Sequence, residues 1–513
     1  MKNMLQTILS QLGSCKNGVP SAIGAASSCG VFVYPKSFHR LGEGALMAAR
    51  DSEKRFLIAV APRAKSLPAG MEGETLDLDG GVAMIAPYSS ANAAVLRKLF
   101  PWCAPKSLRN ERTTIGCGDR LGLATRGQLL AARKYALSPV LAQQSIRELT
   151  LTGRTFREVV DDACFMVFES DFRDGWGADG DHLKRMEDID TAIDNGMPMI
   201  TLDLSEVMNA AAGDWSAEEI DAAFAKLPEA SRKRIAEEYS DKEFVLEKGS
   251  VKIDRLTARR CAVMYDAALD FAEKVHSHLV ERRGREFDLE ISIDETASVT
   301  LPSHHLYIVR ELRRRNVCFS SVAPRFVGEF QKAVDYIGSL PEFDADFEVH
   351  ARIARAYGNY KISVHSGSDK FAVYPTVGRE TRGYLHLKTA GTSWLVAVTV
   401  IAAHDPALYR EMHAEALKHF GEMLKLYHIT ADITADITRI PALETLSDAE
   451  LPKLMEMAEA RQLLHITYGP LLTGALRERF FKAMHRLEAE YDAALERHFD
   501  KHFSLLGIPP RQR

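Results

Sequence analysis

No run of eighteen apolar residues occurs anywhere in this 513-residue chain, so no segment is expected to cross a bilayer as a helix. Residues 1–30 lack a basic start, a long apolar centre and a clear cleavage signal, so secretion is not expected and the cytoplasm is the expected location. The seven cysteines stand at 15, 29, 103, 117, 164, 261 and 318, with no C-x-x-C spacing. That scatter argues against a disulfide framework and against a structural zinc knuckle. No G-x-G-x-x-G follows an early apolar run, which removes the usual dinucleotide fingerprint. Charge of one sign is also missing: 65 basic and 70 acidic residues interleave to a net charge of -5. The densest basic run, Arg313-Arg314-Arg315, adjoins an apolar helical pattern, so neither a nucleic-acid nor a membrane partner is expected.

What the chain does have is apolar content, 46% of its residues, enough for one large core and a second, smaller one. Residues 1–110 read as an appended β-rich segment, with strand-like runs at 31–34, 56–60 and 82–85 punctuated by Gly, Pro and Ser. From residue 111 to 445 the pattern alternates strand and helix. Strand runs are read at 114–119, 175–182, 199–204, 287–295, 317–322, 360–365, 384–388 and 426–430. Eight strands separated by helical periods fit a (β/α)8 TIM-type barrel, an α/β fold. The third connection, about 205–285, is oversized and reads as a helical insertion beside the mouth, where lids are commonly built. The repeated Ile-Thr-Ala-Asp within 429–438 reads as a lengthened loop. Residues 446–513 form a helical tail, opening on a capping-box pattern at Ser447 and Glu450 and read as packing or oligomer contact.

Alternation within the barrel strands then selects the candidate chemistry. If Ile362 and Val364 face the surrounding helices, Lys361, Ser363 and His365 point inward, and the next strand brings His386 and Lys388 to the same interior. An isolated inward histidine is ordinarily a hydrogen-bonded core residue. Here it has company. Asp179, Asp181 and His182 end one strand and Asp294-Glu295 another; carboxylates at strand ends are costly to bury without a metal, a basic partner or a substrate. Two imidazoles with a carboxylate make a mixed N and O donor set suited to a divalent ion such as Zn, Mn, Fe, Ni or Co. Arg120, Lys184, Arg325, Lys370 and Lys388 follow strands and form a basic rim suited to a substrate carboxylate or phosphate. The small polar loops at 366–368 and 389–392 resemble anion cradles. His304-His305 reads as a surface pair, and His350 as a packed helix residue held in reserve as a ligand.

Several of these stretches together resemble the bacterial tagaturonate/fructuronate epimerase family. They are Gly177-Ala-Asp-Gly-Asp-His-Leu-Lys184, Ser292-Ile-Asp-Glu295, Ala323-Pro-Arg-Phe326, Asp335-Tyr-Ile-Gly338, the run from Lys361 to Lys370, and His386-Leu-Lys-Thr-Ala-Gly-Thr-Ser-Trp394. The resemblance implies a divalent-metal-dependent barrel enzyme of hexuronate catabolism that interconverts D-tagaturonate and D-fructuronate. It further implies Asp181 and Glu295 as opposing acid/base groups and His182, His365 and His386 as metal ligands, with His350 the alternative third. For the substrate carboxylate, Arg325 and Lys370 are the first candidates, with Lys361, Lys388 and Arg120 behind them. Departures from the family pattern are Gly180, where a small side chain such as Ala is expected, and the doubled Ile-Thr-Ala-Asp.

The two sugars differ at C3, which is β to both the C5 ketone and the C1 carboxylate, so its C–H is not acidified. Retro-aldol cleavage of the C3–C4 bond, rotation of the aldehyde and re-addition is therefore the expected route, with a cation stabilising the enediolate. A class II aldolase or ketose isomerase would show a similar residue set, and a sugar-acid binding protein would need only the basic rim.

Overall fold

Parallel pairing of short buried runs closes a barrel in the computed structural model, which describes residues 1–12, 23, 30–295, 298–427, 429 and 437–512. The barrel strands are β1 (Thr113–Gly116), β2 (Ser138–Ser145), β3 (Gly177–Leu183), β4 (Met199–Asp203), β5 (Asp288–Ser292), β6 (Ser321–Ala323), β7 (Lys361–Val364) and β8 (Leu385–Lys388). Each pairs in parallel with the next, and β8 closes on β1 through Leu385–Thr113 to Lys388–Gly116. Strands this short suffice because both faces are covered: β1, β4, β5 and β7 are buried along their whole length.

Seven of the eight expected strands are present, and one is exchanged. Ser138–Ser145 is a barrel strand that its Pro139 and paired glutamines conceal. The apolar run at 426–430 supplies none: Leu424–Leu426 is a 3-10 turn, and His428 and most of the repeated Ile-Thr-Ala-Asp lie outside the described residues. One consequence is that the oversized connection follows the fourth strand, not the third. It holds the expected helices (Ala217–Phe224, Glu229–Glu238 and Arg255–Arg283) and also an antiparallel hairpin, Lys242–Val245 with Ser250–Ile253.

Ahead of the barrel, six antiparallel strands between Phe32 and Pro87 form a sheet. Period-two alternation gives it two apolar faces. Leu46, Ala48, Leu57 and Ala59 join the main core, while Met47, Ala49, Ile58 and Val60 pack against Leu5 and Ile8 of the helix Lys2–Leu12. The tail is helical from Ala458–Ile466 to Glu488–Leu505. The Ser447 backbone N–H donates to Glu450 Oε2 at 2.9 Å, one half of the expected capping box, but the pair precedes a 3-10 helix, Leu451–Glu456. Buried charge ties sheet, barrel and tail together: Glu488 accepts from Arg55 at 2.5 Å and Tyr34 at 2.7 Å, and Arg126 meets Asp492 at 3.0 Å. No described helix is long and apolar enough to cross a membrane.

Candidate active site

At the carboxyl end of the barrel, β3 is the densest source of functional groups. Its inner face carries Asp179 and Asp181, buried to 0% and 6% exposure. Between them Gly180 turns outward, where an added Cβ would lie 2.9 Å from both the Ala192 Cβ and the Leu183 Cδ1. The missing methyl is what lets helix Met186–Asp194 seat this closely on the strand. His182 then takes a left-handed backbone, φ 54°. Such a conformation is costly for a residue with a Cβ and is concentrated at functional sites.

The centre of the interior is an ammonium ion. Lys388 Nζ meets Asp181 Oδ1 at 2.6 Å, Asp179 Oδ2 at 2.9 Å and Glu290 Oε1 at 3.0 Å, and donates to Thr201 Oγ1. Burial acts against the charge, but the three carboxylates hold Lys388 well above the ordinary lysine pKa. In return, and also against burial, Lys388 keeps Asp181 and Glu290 well below the usual carboxylate range, helped by His182 and His365 respectively. Asp179, where burial dominates, is pushed up to about 6.

Directly above lie the two imidazoles. His182 Nδ1 bonds Asp181 Oδ1 at 2.7 Å, and His365 Nε2 bonds Glu290 Oε1 at 2.7 Å. Each carboxylate fixes one ring nitrogen as the donor and leaves the other available as a ligand atom, the outer-sphere arrangement common behind metal-binding histidines. Those free atoms converge. His182 Nε2 and His365 Nδ1 are 3.2 Å apart, and Asp294 Oδ1 lies 2.9 Å from His365 Nδ1 and 3.7 Å from His182 Nε2. Ligands about 2.05 Å from a shared tetrahedral ion would be about 3.3 Å apart, so this donor set fits a divalent cation. Without one, the surrounding carboxylates outweigh burial and raise both imidazole pKa values.

Glu295 stands on the far side of His182, 3.9 Å from its Nε2, and its other oxygen is 3.6 Å from Lys184 Nζ. His182, Asp203 and Glu295 form a second group close enough to hold an ion. The side chain of Glu295 is 39% exposed, which opens it to the cavity above, a space of about 1150 Å³.

The other residues read from the sequence divide sharply. Arg120 borders the cavity, but its guanidinium is bound to Glu148 at 2.9 Å and stacked on Tyr468. Arg325 lies at the rim, 3.5 Å from Glu329. Lys370 does not reach the cavity; its Nζ donates to the Gln331, Val334 and Ser368 carbonyls at 2.7, 2.6 and 3.1 Å, and burial lowers it to about 7. Lys361 sits at the opposite end of the barrel. His386 also lies deeper, with Nδ1 2.9 Å from Thr114 Oγ1, and the convergent group is completed by Asp294 in its place. His350 is packed against His305 at 2.8 Å, and His304 and His305 are buried, not a surface pair, because each has a tyrosine hydroxyl partner (Tyr265 and Tyr360). Asp369 joins His498 and His502 of the tail in a third group, with Arg461 on its other oxygen at 2.6 Å. From the insertion, Glu206 alone among the described residues borders the cavity.

Four contributors escaped the sequence reading. Glu290 was hidden inside a run read as a strand end at 294–295, although its inward period matches Ser292 and Asp288. Gln143 Nε2, 3.2 Å from Asp181 Oδ2, belongs to the unrecognised β2. Lys332 and His465 come from a loop and from the tail, where no period marks an inward direction.

Comparison with known proteins extends these observations. Residues 34–506 match the model of the family described as UxaE, tagaturonate epimerase. A tagaturonate/fructuronate epimerase of Thermotoga maritima is 38% identical over 480 residues, covering 93% of this chain and 97% of that protein. The native crystal structure of the fructuronate-tagaturonate epimerase UxaE from Cohnella laeviribosi superposes with a TM-score of 0.89 at 41% identity, covering 96% of this chain and 99% of that one. A glycerol complex of the same enzyme matches with the same TM-score.

Proposed function

The chain belongs to the tagaturonate epimerase family and is thus an isomerase, and from that membership we propose that it interconverts D-tagaturonate and D-fructuronate with a divalent cation held by His182, His365 and Asp294. One observation carries the reading: three ligand atoms converge from β3, β5 and β7 while two carboxylates, Asp181 and Glu295, flank the same imidazole from opposite nitrogens. The mixed N and O set suits Zn, Mn, Fe, Ni or Co. When bound, such an ion supplies Lewis-acid stabilisation of negative charge on the ketone end of the substrate.

The residues of the chain account for the rest. Inversion at C3 by breaking and remaking the C3–C4 bond requires one group to take the C3 hydroxyl proton and a second to return it from the other face. Asp181 and Glu295 are assigned these roles, each with a lysine behind it: Lys388 at 2.6 Å and Lys184 at 3.6 Å. Lys388 keeps Asp181 ionised, and the exposure of Glu295 lets it meet substrate. Division of the chain into a sheet segment (1–110), barrel (111–445) and helical tail (446–513) is part of the same reading, supported by the separate apolar cluster under the sheet.

The test is incubation of metal-loaded protein with tagaturonate, following fructuronate. Release of three-carbon fragments without fructuronate would replace the epimerase by an aldolase. His182→Ala is expected to lose both bound metal, measured by elemental analysis, and turnover; a variant with full metal content would remove His182 from the ligand set.

A further inference from the structure

Four of the cations bordering the cavity are paired with carboxylates: Arg120 with Glu148, Lys184 with Asp203 and Glu295, Arg325 with Glu329 and Lys388 with its three acids. Lys332 is different. Its Nζ donates to Ser366 Oγ at 2.9 Å, and among the described residues no carboxylate lies within ion-pair distance. Burial, with Arg147 nearby, lowers its pKa, a cost that an anion would remove. Ser366 directly follows the ligand His365, so this ammonium stands next to the reaction centre.

A second group points the same way. His465 also borders the cavity, is 2% exposed, and its Nδ1 has no hydrogen-bond partner among the described residues. Its Nε2 faces Arg120 Nη2 at 3.5 Å. A guanidinium can only donate, so Nε2 accepts and the ring proton sits on Nδ1. Burial and the Arg120 and Lys332 charges keep the ring neutral. Its helix is tied to the lysine, since Gln462 Nε2 donates to the Lys332 carbonyl at 3.4 Å. An ammonium lacking a counter-ion and an orphan N–H on one cavity wall are unsatisfied in the same sense: both lack a negatively charged acceptor.

We propose that Lys332, with the Ser366 hydroxyl and the His465 Nδ1–H, takes the terminal carboxylate of the substrate and so selects sugar acids over neutral ketoses. This deepens the epimerase reading and rests on it. The expected selectivity comes from an ammonium aligned with a carboxylate at a half-buried wall of the cavity, with the Arg147 guanidinium, 4.8 Å from the Tyr427 ring, adding positive potential.

The experiment uses full-length, metal-loaded protein with two readouts: KM and kcat for tagaturonate, and direct titration with galactonate, an acid lacking the ketone. Lys332→Met is expected to raise KM and weaken galactonate binding by about 10- to 100-fold, the range for a lost charge-assisted hydrogen bond. kcat should change less than KM, and metal content should stay that of the parent. Lys332→Arg should restore binding to within about threefold, since it keeps the charge. Ser366→Ala, a truncation that keeps the Cβ, should weaken galactonate by about threefold to tenfold. Unchanged KM and galactonate affinity in Lys332→Met, or in Ser366→Ala if the first variant does not fold, would overturn the assignment. A parent protein that binds galactonate but turns over no tagaturonate would instead sink the epimerase reading, and with it this one.

Discussion

The two ends of the barrel interior each hold a lysine on neighbouring strands, both 3% exposed, in surroundings of opposite kind. Lys388, last residue of β8, is gripped by three carboxylates that raise its pKa far above normal despite burial. Lys361, first residue of β7, has Nζ 3.2 Å from the Leu108 carbonyl and 3.3 Å from Thr114 Oγ1, and burial lowers its pKa, with Asp288 and Glu290 opposing. Residue type, burial and inward register are alike. What differs is depth along the axis. The carboxyl end gathers acids and imidazoles from several strands, and the amino end offers backbone oxygen and a hydroxyl.

That contrast can be broken by substitution. The largest effect is expected at the upper end: Glu295→Gln should keep its metal, by elemental analysis, while kcat falls about 10²- to 10⁴-fold, as for a lost acid/base group. Equal turnover would move the proton transfer to another residue. Next, Lys388→Met leaves Asp179, Asp181 and Glu290 facing one another without a cation, and should cost about 3–5 kcal/mol in urea unfolding. A denaturation midpoint equal to the parent's would mean the acids do not depend on the lysine.

Acid should act on the same end. His182 and His365 must be neutral to bind an ion, and both pKa values are raised when no ion is present. Protons therefore compete as pH falls, and metal content after dialysis should decline from above the ordinary imidazole value of about 6.5. Retention unchanged at pH 5 would exclude the two imidazoles as ligands.

The smallest effect belongs to the lower end. Lys361→Met should leave turnover unchanged and shift stability by no more than about 1 kcal/mol at pH 7, in the stabilising direction, since a buried ammonium is replaced by an apolar chain of similar length. The sign follows from linkage. Because the folded pKa of Lys361 is depressed, the unfolded chain binds the extra proton, and the cost of keeping the ammonium is largest below the folded pKa and gone above about pH 10.4. The advantage of the variant over the parent should fade in melts run toward pH 10. Lost activity in this variant would erase the distinction between the two ends.

Much of this was readable from residue order, and the failures have physical causes. Inward alternation correctly turned His365 and Lys388 to the interior, because period two survives in strands buried on both faces, and Asp181 was marked by its place at a strand end. The same alternation could not separate Lys361 from Lys388, or His386 from the ligand group, since it fixes direction and not height. β2 was missed because it buries two adjacent polar residues, Gln143, which faces Asp181, and Gln144, and because Pro139 opens the strand beside Ser138. Asp294 was visible as a strand-end acid, yet the choice of histidine as third ligand passed over it. The buried pairing of His305 with His350 depends on helices meeting 45 residues apart, which no local pattern records.

His465, finally, belongs to the helix Ala458–Ile466, far beyond the last barrel strand in the sequence, yet it walls the same cavity as residues that leave the ribosome earlier. All eight strands can be synthesised and paired while that wall is still open. A nascent chain that has passed β8 would therefore carry the convergent His182, Asp294 and His365 without an enclosed chamber above them. Enclosure of the chamber waits on the helix Ala458–Ile466, which follows all eight strands.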